Sequence, residues 1–477
     1  MTPAHYVSPM EKRQLLSLRN VGAVRKYLKT ISKAGSATAI LLATIILFTT
    51  PAHAITVGNN VNLVPDLDRQ LAEPTIAIDP QNPSIMVAGA QDYNFAGPRQ
   101  HRWHAIYRST DAGQSWTNSL LPGYPGDTSP QGASSPLKAY TLTTDPAMAF
   151  DNYGSLYYAG LALSLTSGEE TDFVAKYTND GATYTGVTLI PGFGDYPKIA
   201  VDTTRGPHNG NIYFTSFQGF SVSTDGGNTF TSPVPIRSEP TGVKVGPTGI
   251  VYIVSETAPP FQSSAPINIL VTTSTDGGQT LSGHEMAAFN ITSLPFQLPG
   301  NQFREFTLPE IAVDGNGAYV TWADYRTGLS NILFVRSTDN GQTWSDPITI
   351  NDVTYSQHFT PTIVASAGTI SIAWYDDRLS TIPNGTIDSL DVYYAQSTNT
   401  GHSFTPNMRV TSVSFNPNQA KIRDFARGAP FLGDYISISA GPGFVQPVWA
   451  DQRNACDVID PNFGCVDEDI FTARITV

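Results

Sequence analysis

Three copies of one pattern set a tryptophan, a carboxylate and a guanidinium at alternate positions. They are Trp322, Asp324 and Arg326 in WADYR, Trp374, Asp376 and Arg378 in WYDDR, and Trp449, Asp451 and Arg453 in WADQR. On an extended strand, alternate residues share a side, so each triplet faces one way. Two chemistries follow. An arginine fork grips a carboxylate through two parallel hydrogen bonds, so three converging forks would bind an acidic ligand. In the plainer reading each Arg pairs with its own Asp or a neighbour's, and the motif is a brace that recurs with its unit. Two acids end the corresponding segment elsewhere, Asp92 in AGAQDYN and Glu256 in VYIVSE. Another series precedes a different set of segments: Glu73, Asp145, Asp195, Glu239 and Asp434, with Tyr196 and Tyr435 directly after two of them. Paired carboxyl groups are what most glycoside-cleaving sites use as acid and base or nucleophile.

The segments that must position these residues repeat. A short apolar strand follows a proline in PTIAID (Pro74), PAMAFD (Pro146), PKIAVD (Pro197), PTGVKV (Pro240), PEIAVD (Pro309) and PTIVAS (Pro361), and DYISIS (Asp434) is a seventh copy without the proline. A second strand carries the acids just described. A third leads into a polar turn, and a fourth leaves it. Short runs of Val, Ile, Tyr and Phe between Gly, Asp and Asn read as strands, and no stretch after residue 54 has helical periodicity. Four strands repeated every ~60 residues predict the blades of an all-β propeller. The small residues Ala77, Ala149, Ala200 and Ala312, in the middle of the first strands, suit crowding at the axis.

Seven first strands are present but only six turns. The last unit ends at Val477 one strand short, and ITVGNNVNLV, from Ile55, is a spare strand ahead of the first unit. The expectation is a seven-bladed ring, with six as the alternative count, closed by this N-terminal strand. Closure removes an exposed edge.

The turns read RSTDAGQSW (Arg108), STDGGNTF (Ser223), STDGGQTL (Ser274), STDNGQTW (Ser337) and STNTGHSF (Ser397), with a weaker YTNDGATY at Tyr177. Gly supplies the positive φ of the hairpin. Asp111, Asp225, Asp276 and Asp339, and Asn399 in the fifth copy, can accept bonds from backbone N–H groups. This pattern resembles the Asp box of the sialidase-like (BNR-repeat) β-propeller superfamily, over the whole chain after residue 54. The resemblance implies that the boxes are structural and lie opposite the active site. It implies glycan recognition on the other face and an exo-sialidase-type glycoside hydrolase acting on acidic sugars. Arg326, Arg378 and Arg453 would then bind substrate with Asp92, Glu256, Asp324, Asp376 and Asp451. The tyrosine nucleophile with a carboxylate beside it would be Tyr435 with Asp434, or Tyr196 with Asp195. Two departures stand against that activity. Sialidases resemble six-bladed rings, and their Arg-Ile-Pro motif is missing around Arg99 and Arg102. A non-catalytic propeller scaffold, offering this face to another protein, is the alternative.

Composition bounds the setting. Lys12, Arg13, Arg19, Arg25, Lys26, Lys29 and Lys33 precede an apolar run at 37–48 and the sequence PAHA, which reads as a secretory signal over 1–54, cut after Ala54, with a single domain over 55–477. The bland alternative is an uncleaved anchor, for which the apolar run is short of the roughly 20 residues of a span. Without the seven basic residues and one acid of 1–54, the 27 Lys and Arg and 40 Asp and Glu become 20 and 39, a net of −19. Such a charge argues against nucleic acid and anionic membranes. A secreted or extracytoplasmic monomer is expected, with no cofactor and no metal site. Cys456 and Cys465, the only cysteines, form a disulfide that closes one loop in such a compartment. Asp457, Asp460, Asp467, Glu468 and Asp469 crowd the same loop with oxygen ligands of the calcium type, though without a binding-loop spacing, so solvated acids are the ordinary reading. Asn290 and Asn384 stand in glycosylation sequons.

Overall fold

The computed structural model describes residues 54–477 apart from 65–69, 94–101, 193, 237, 259–265, 382–386, 420–429, 455–458, 461–463 and 466–467, with backbone alone at 459, 460, 464 and 465. The leader over 1–54 lies, but for Ala54, outside these residues, as do Asn384, Arg99 and the side chains of Cys456, Cys465, Asp457, Asp460 and Asp467. Among the described residues no helix is long and apolar enough to cross a membrane.

Seven antiparallel sheets follow in chain order: blade 1 (71–120), blade 2 (142–190), blade 3 (198–223), blade 4 (239–292), blade 5 (310–349), blade 6 (358–409) and blade 7 (437–476). Each innermost strand touches that of the next blade, and the innermost strand of blade 7 touches that of blade 1. The ring is closed as the strand count requires. Thr56–Asn62 pairs antiparallel with Asp469–Thr476, from Thr56 opposite Thr476 to Asn62 opposite Phe471. It becomes the outer strand of blade 7.

Blade 3 departs from the four-stranded pattern. Lys198–Val201, Ile212–Ser216 and Gly219–Ser223 pair, but the outer strand shrinks to one bridge between Phe220 and Val234. Val234 is flanked by Pro233 and Pro235, and neither proline has an N–H to give a ladder.

The Asp boxes form at the expected turns. In blade 5, Asp339 accepts from Ser337 Oγ (2.7 Å), Thr343 N (2.9 Å) and Thr343 Oγ1 (2.5 Å). Asp111, Asp225 and Asp276 repeat the pattern. Asn399 replaces the second carboxylate oxygen with an Nδ2 that donates to Ser403 Oγ at 2.9 Å. The weak copy in blade 2 takes another path, with Asn179, Asp180 and Gly181 in succession at φ 55°, 57° and 74°.

The innermost strands surround an axial tunnel of about 290 Å3. Ala77 and Ala149 line it, as crowding requires, whereas Ala200 packs between blades 3 and 4. These strands are not regular. In blades 1, 2 and 6 the pairing slips between Ala72 and Thr75, between Thr144 and Ala147, and between Phe359 and Thr362. Each slip holds the residue ahead of the proline in left-handed backbone: Glu73 (φ 56°), Asp145 (φ 58°) and Thr360 (φ 51°). Such bulges re-aim a side chain, and here they do so at the mouth where the innermost strands begin.

Candidate functional site

The repeated tryptophan, aspartate and arginine form braces. Asp324 accepts from Arg326 Nε (2.9 Å) and Nη2 (2.5 Å), and from Trp322 Nε1 (3.1 Å). Asp376 holds Arg378 (2.9 and 2.7 Å) and Trp374 (3.1 Å), and Asp451 holds Arg453 (3.0 and 2.6 Å) and Trp449 (2.8 Å). Each fork is therefore occupied by the acid two residues earlier. The guanidinium groups of Arg378 and Arg453 also lie over Tyr393 and Phe471, on the third strands of their own blades, at 3.9 and 4.2 Å. Arg453 ties the ring seam as well, reaching Asn60 Oδ1 and Ser412 Oγ, both at 3.1 Å. Asp376 further binds His358 Nδ1 at 2.8 Å. Burial pushes the Asp376 carboxyl up, but His358 and Arg378 outweigh it and hold the group at about 2. The three arginines expected to converge on a ligand are thus separate, one per blade.

What does converge is the acid series ahead of the innermost strands. Beyond burial, Glu73 (blade 1) is raised by Asp145 (blade 2) and by the charge of Asp434 (ahead of blade 7), Asp145 by Asp195 (ahead of blade 3) and Asp434, and Asp195 by Asp434. Tyr196 and Tyr435 meet edge to face with centroids 5.5 Å apart. Lys198 caps both rings, at 4.0 and 4.2 Å, and lies 3.6 Å from Glu310 of blade 5. This cross-axis clasp borders the axial cavity, since Lys198, Glu310 and Tyr435 also line it. Arg304 forks onto Asp434, with Nε 2.8 Å from Oδ1, and its guanidinium stacks over Phe431 (4.6 Å) and Phe306 (5.3 Å). Glu305 accepts from Thr360 Oγ1 at 3.1 Å.

Burial dominates the electrostatics. It raises Glu73 well above the carboxylate range, helped by Asp145 and Asp434. It raises Asp145 to about 7, helped by Asp195, and it also raises Asp195 and Glu305. The phenols of Tyr196 and Tyr435 are pushed well up by burial, and the Tyr435 hydroxyl donates to Pro146 O at 3.3 Å. Burial lowers the Lys198 amine.

Sequence reasoning named Asp195, Tyr196, Asp434 and Tyr435 but not Arg304, Glu305 or Lys198. Lys198 stands inside the repeated PKIAVD, and Arg304 lies five residues ahead of Pro309. The second signal, a basic residue in a lead-in loop, is weak without the bulge that gathers the loops. Asp92 ends its strand in a buried position. Glu256 stands opposite Glu239, which precedes Pro240 at the start of the innermost strand of blade 4, and is raised by burial and by Glu239. Among the described residues no group of three or more His, Cys, Asp or Glu is arranged to hold a metal ion.

No family model and no curated protein matches the chain. Solved structures to which it is similar include a Hadza microbial sialidase (12% identity, TM-score 0.43, 85% of this chain and 65% of that one). A phage phi92 endosialidase is similar at 10% identity and TM-score 0.46, over 88% of this chain and 69% of that one. A Dyadobacter fermentans protein of unknown function is similar at 10% identity and TM-score 0.44, over 89% of this chain and 99% of that one. The chain spans 65% of the length of the Hadza sialidase. The seven-bladed ring is defined by the strand pairing and turn bonds described above.

Proposed function

We propose that this chain is a secreted, monomeric, carbohydrate-recognising propeller that hydrolyses glycosides at its axial mouth without a cofactor. One observation supports this reading: carboxyl groups in two different electrostatic states meet at one place from different blades. Asp145, held near 7 by burial and Asp195, carries a proton suited to a departing glycosidic oxygen. Asp434, ion-paired with Arg304, supplies the carboxylate required of a base or nucleophile. Asp195 keeps Asp145 protonated. Tyr196 and Tyr435 serve as the apolar floor, since burial opposes a phenolate at either. Arg326, Arg378 and Arg453, with Asp324, Asp376 and Asp451, brace the blades that carry this mouth. Secretion follows from the leader composition of 1–54 and agrees with the net charge of the remainder.

A panel of fluorogenic glycosides offered to the purified protein tests this reading. Turnover of at least one is expected, and Asp145→Asn and Asp434→Asn should each reduce it by about 10²–10⁴-fold. Absence of turnover across the panel would leave the second reading, a scaffold that docks another protein. One observation favours that reading: Tyr355 (67% exposed) and Leu379 (45% exposed) stand on the mouth-side loops of blade 6.

A further inference from the structure

We propose that the axial tunnel binds a small oxyanion, of the phosphate, sulfate or carboxylate type, between Lys198 and Lys244. Three of the residues that line it carry charge: Lys198, Lys244 and Glu310. Two cations thus face one acid, in a chain whose net charge is −13. The Lys198 side chain is 16% exposed, and its Nζ stands 3.6 Å from Glu310 Oε1, too far for a hydrogen bond. The rings of Tyr196 and Tyr435, at 4.0 and 4.2 Å, attract its charge but offer only their faces. An ammonium has three donors to satisfy, and this one makes no hydrogen bond among the described residues. Lys244 is exposed, lines the same tunnel and pairs with no carboxylate among the described residues.

The tunnel wall supplies further donors. Each innermost strand is paired on one side only, and consecutive residues line the tunnel, 75–78 in blade 1 and 147–150 in blade 2. A strand face would present alternate residues, so it is the unpaired edge, with its N–H and C=O groups, that borders the space. Backbone N–H groups and ammonium groups are the donors an oxyanion takes. Charge favours an anion over a neutral ligand. Burial lowers the Lys198 amine, Glu310 opposes this, the charge of Lys244 adds to it, and Asp145 and Glu73 oppose it more weakly. An anion between the two amines offsets their repulsion. The volume, about 290 Å3, stands at the low end of small-molecule sites, which run from about 300 to 1,000 Å3, so the ligand is small.

Titration calorimetry with inorganic phosphate, sulfate and acetate, at pH 7 and constant ionic strength, tests this. One site per chain is expected for at least one of the three, and that anion should raise the melting temperature. Lys244→Ala should weaken its binding by about tenfold or more, while the anion-free variant melts like the parent because Lys244 is exposed. Glu310→Gln should tighten binding, since it removes the one acid of the wall, whereas a purely structural Glu310 would loosen it. Failure of all three anions to bind, binding that Lys244→Ala leaves unchanged, or loosening by Glu310→Gln would overturn the inference. Glycoside turnover is read separately, so each of these results leaves the glycan reading where it stands.

Discussion

The two faces of the ring use the same residue in opposite ways. On the box face, aspartates are open to solvent and filled with donors: the Thr343 hydroxyl and neighbouring backbone N–H groups hold Asp339 at about 2, and the Ser115 hydroxyl does the same for Asp111. At the mouth, aspartates are buried with few donors and face one another, so Asp145 sits at about 7. Donors stabilise the charged form, and burial beside like charge opposes it. Box residues recur because the blade recurs. The mouth residues differ from blade to blade: Glu73, Asp145, Tyr196 and Thr360 fill equivalent pre-proline positions. In a repeat protein, the position that fails to repeat is where chemistry is to be sought.

Four predictions sharpen that contrast. Deleting 56–62 strips the outer strand from blade 7 and removes Asn60 from Arg453 and Ser412. Loss of cooperative folding is expected by thermal melting. A variant that melts like the parent would mean that the ring does not depend on closure.

Asp376→Ala ranks next. It leaves the Arg378 fork, the Trp374 N–H and buried His358 without their shared acceptor. Removing one partner of a buried pair costs about 3–5 kcal/mol, measurable by chemical denaturation. A loss under 1 kcal/mol would show that the brace is idle.

Asp339→Ala should cost about 1–3 kcal/mol, the range for donors left unpaired, and the exposure of the turn points to the lower end. Glycoside turnover should be unchanged.

The smallest effects are in pH dependence, and they have opposite signs. Asp339 has its folded-state pKa depressed to about 2. It therefore stabilises above its unfolded value of about 3.9, and that contribution is lost as pH falls towards 2. Asp145 has its folded-state pKa raised to about 7, so stability present below about 3.9 is lost as pH rises to 7. Melting curves should show Asp339→Asn flattening the acid limb and Asp145→Asn flattening the decline between pH 4 and 7. The reverse pairing would invert the comparison.

Much of the ring was legible in the sequence. The inner-strand copies and box turns marked each blade, and the missing last strand pointed to Ile55 as its replacement, because strand pattern and turn chemistry are local. Blade 3 was less so: its outer strand is removed by Pro233 and Pro235, which flank an apolar Val234 and leave it one bridge. The site was half legible. Asp195, Tyr196, Asp434 and Tyr435 of the candidate site were named from their position in the repeat. The Arg326, Arg378 and Arg453 series carried a stronger pattern, but its recurrence reflects bracing. Arg304 and Lys198 reach the mouth through long-range packing on Phe431 and Tyr435, which no local pattern encodes.

One paired measurement tests the division of labour between the faces most directly: turnover and melting temperature for Asp145→Asn and Asp339→Ala, side by side at pH 7.5. Asp145→Asn is expected to reduce turnover by about 10²–10⁴-fold while melting no lower than the parent, since it removes a buried carboxyl from beside Asp195. Asp339→Ala is expected to melt lower and keep its turnover. A stable Asp339→Ala without activity, or a fully active Asp145→Asn, would contradict the account.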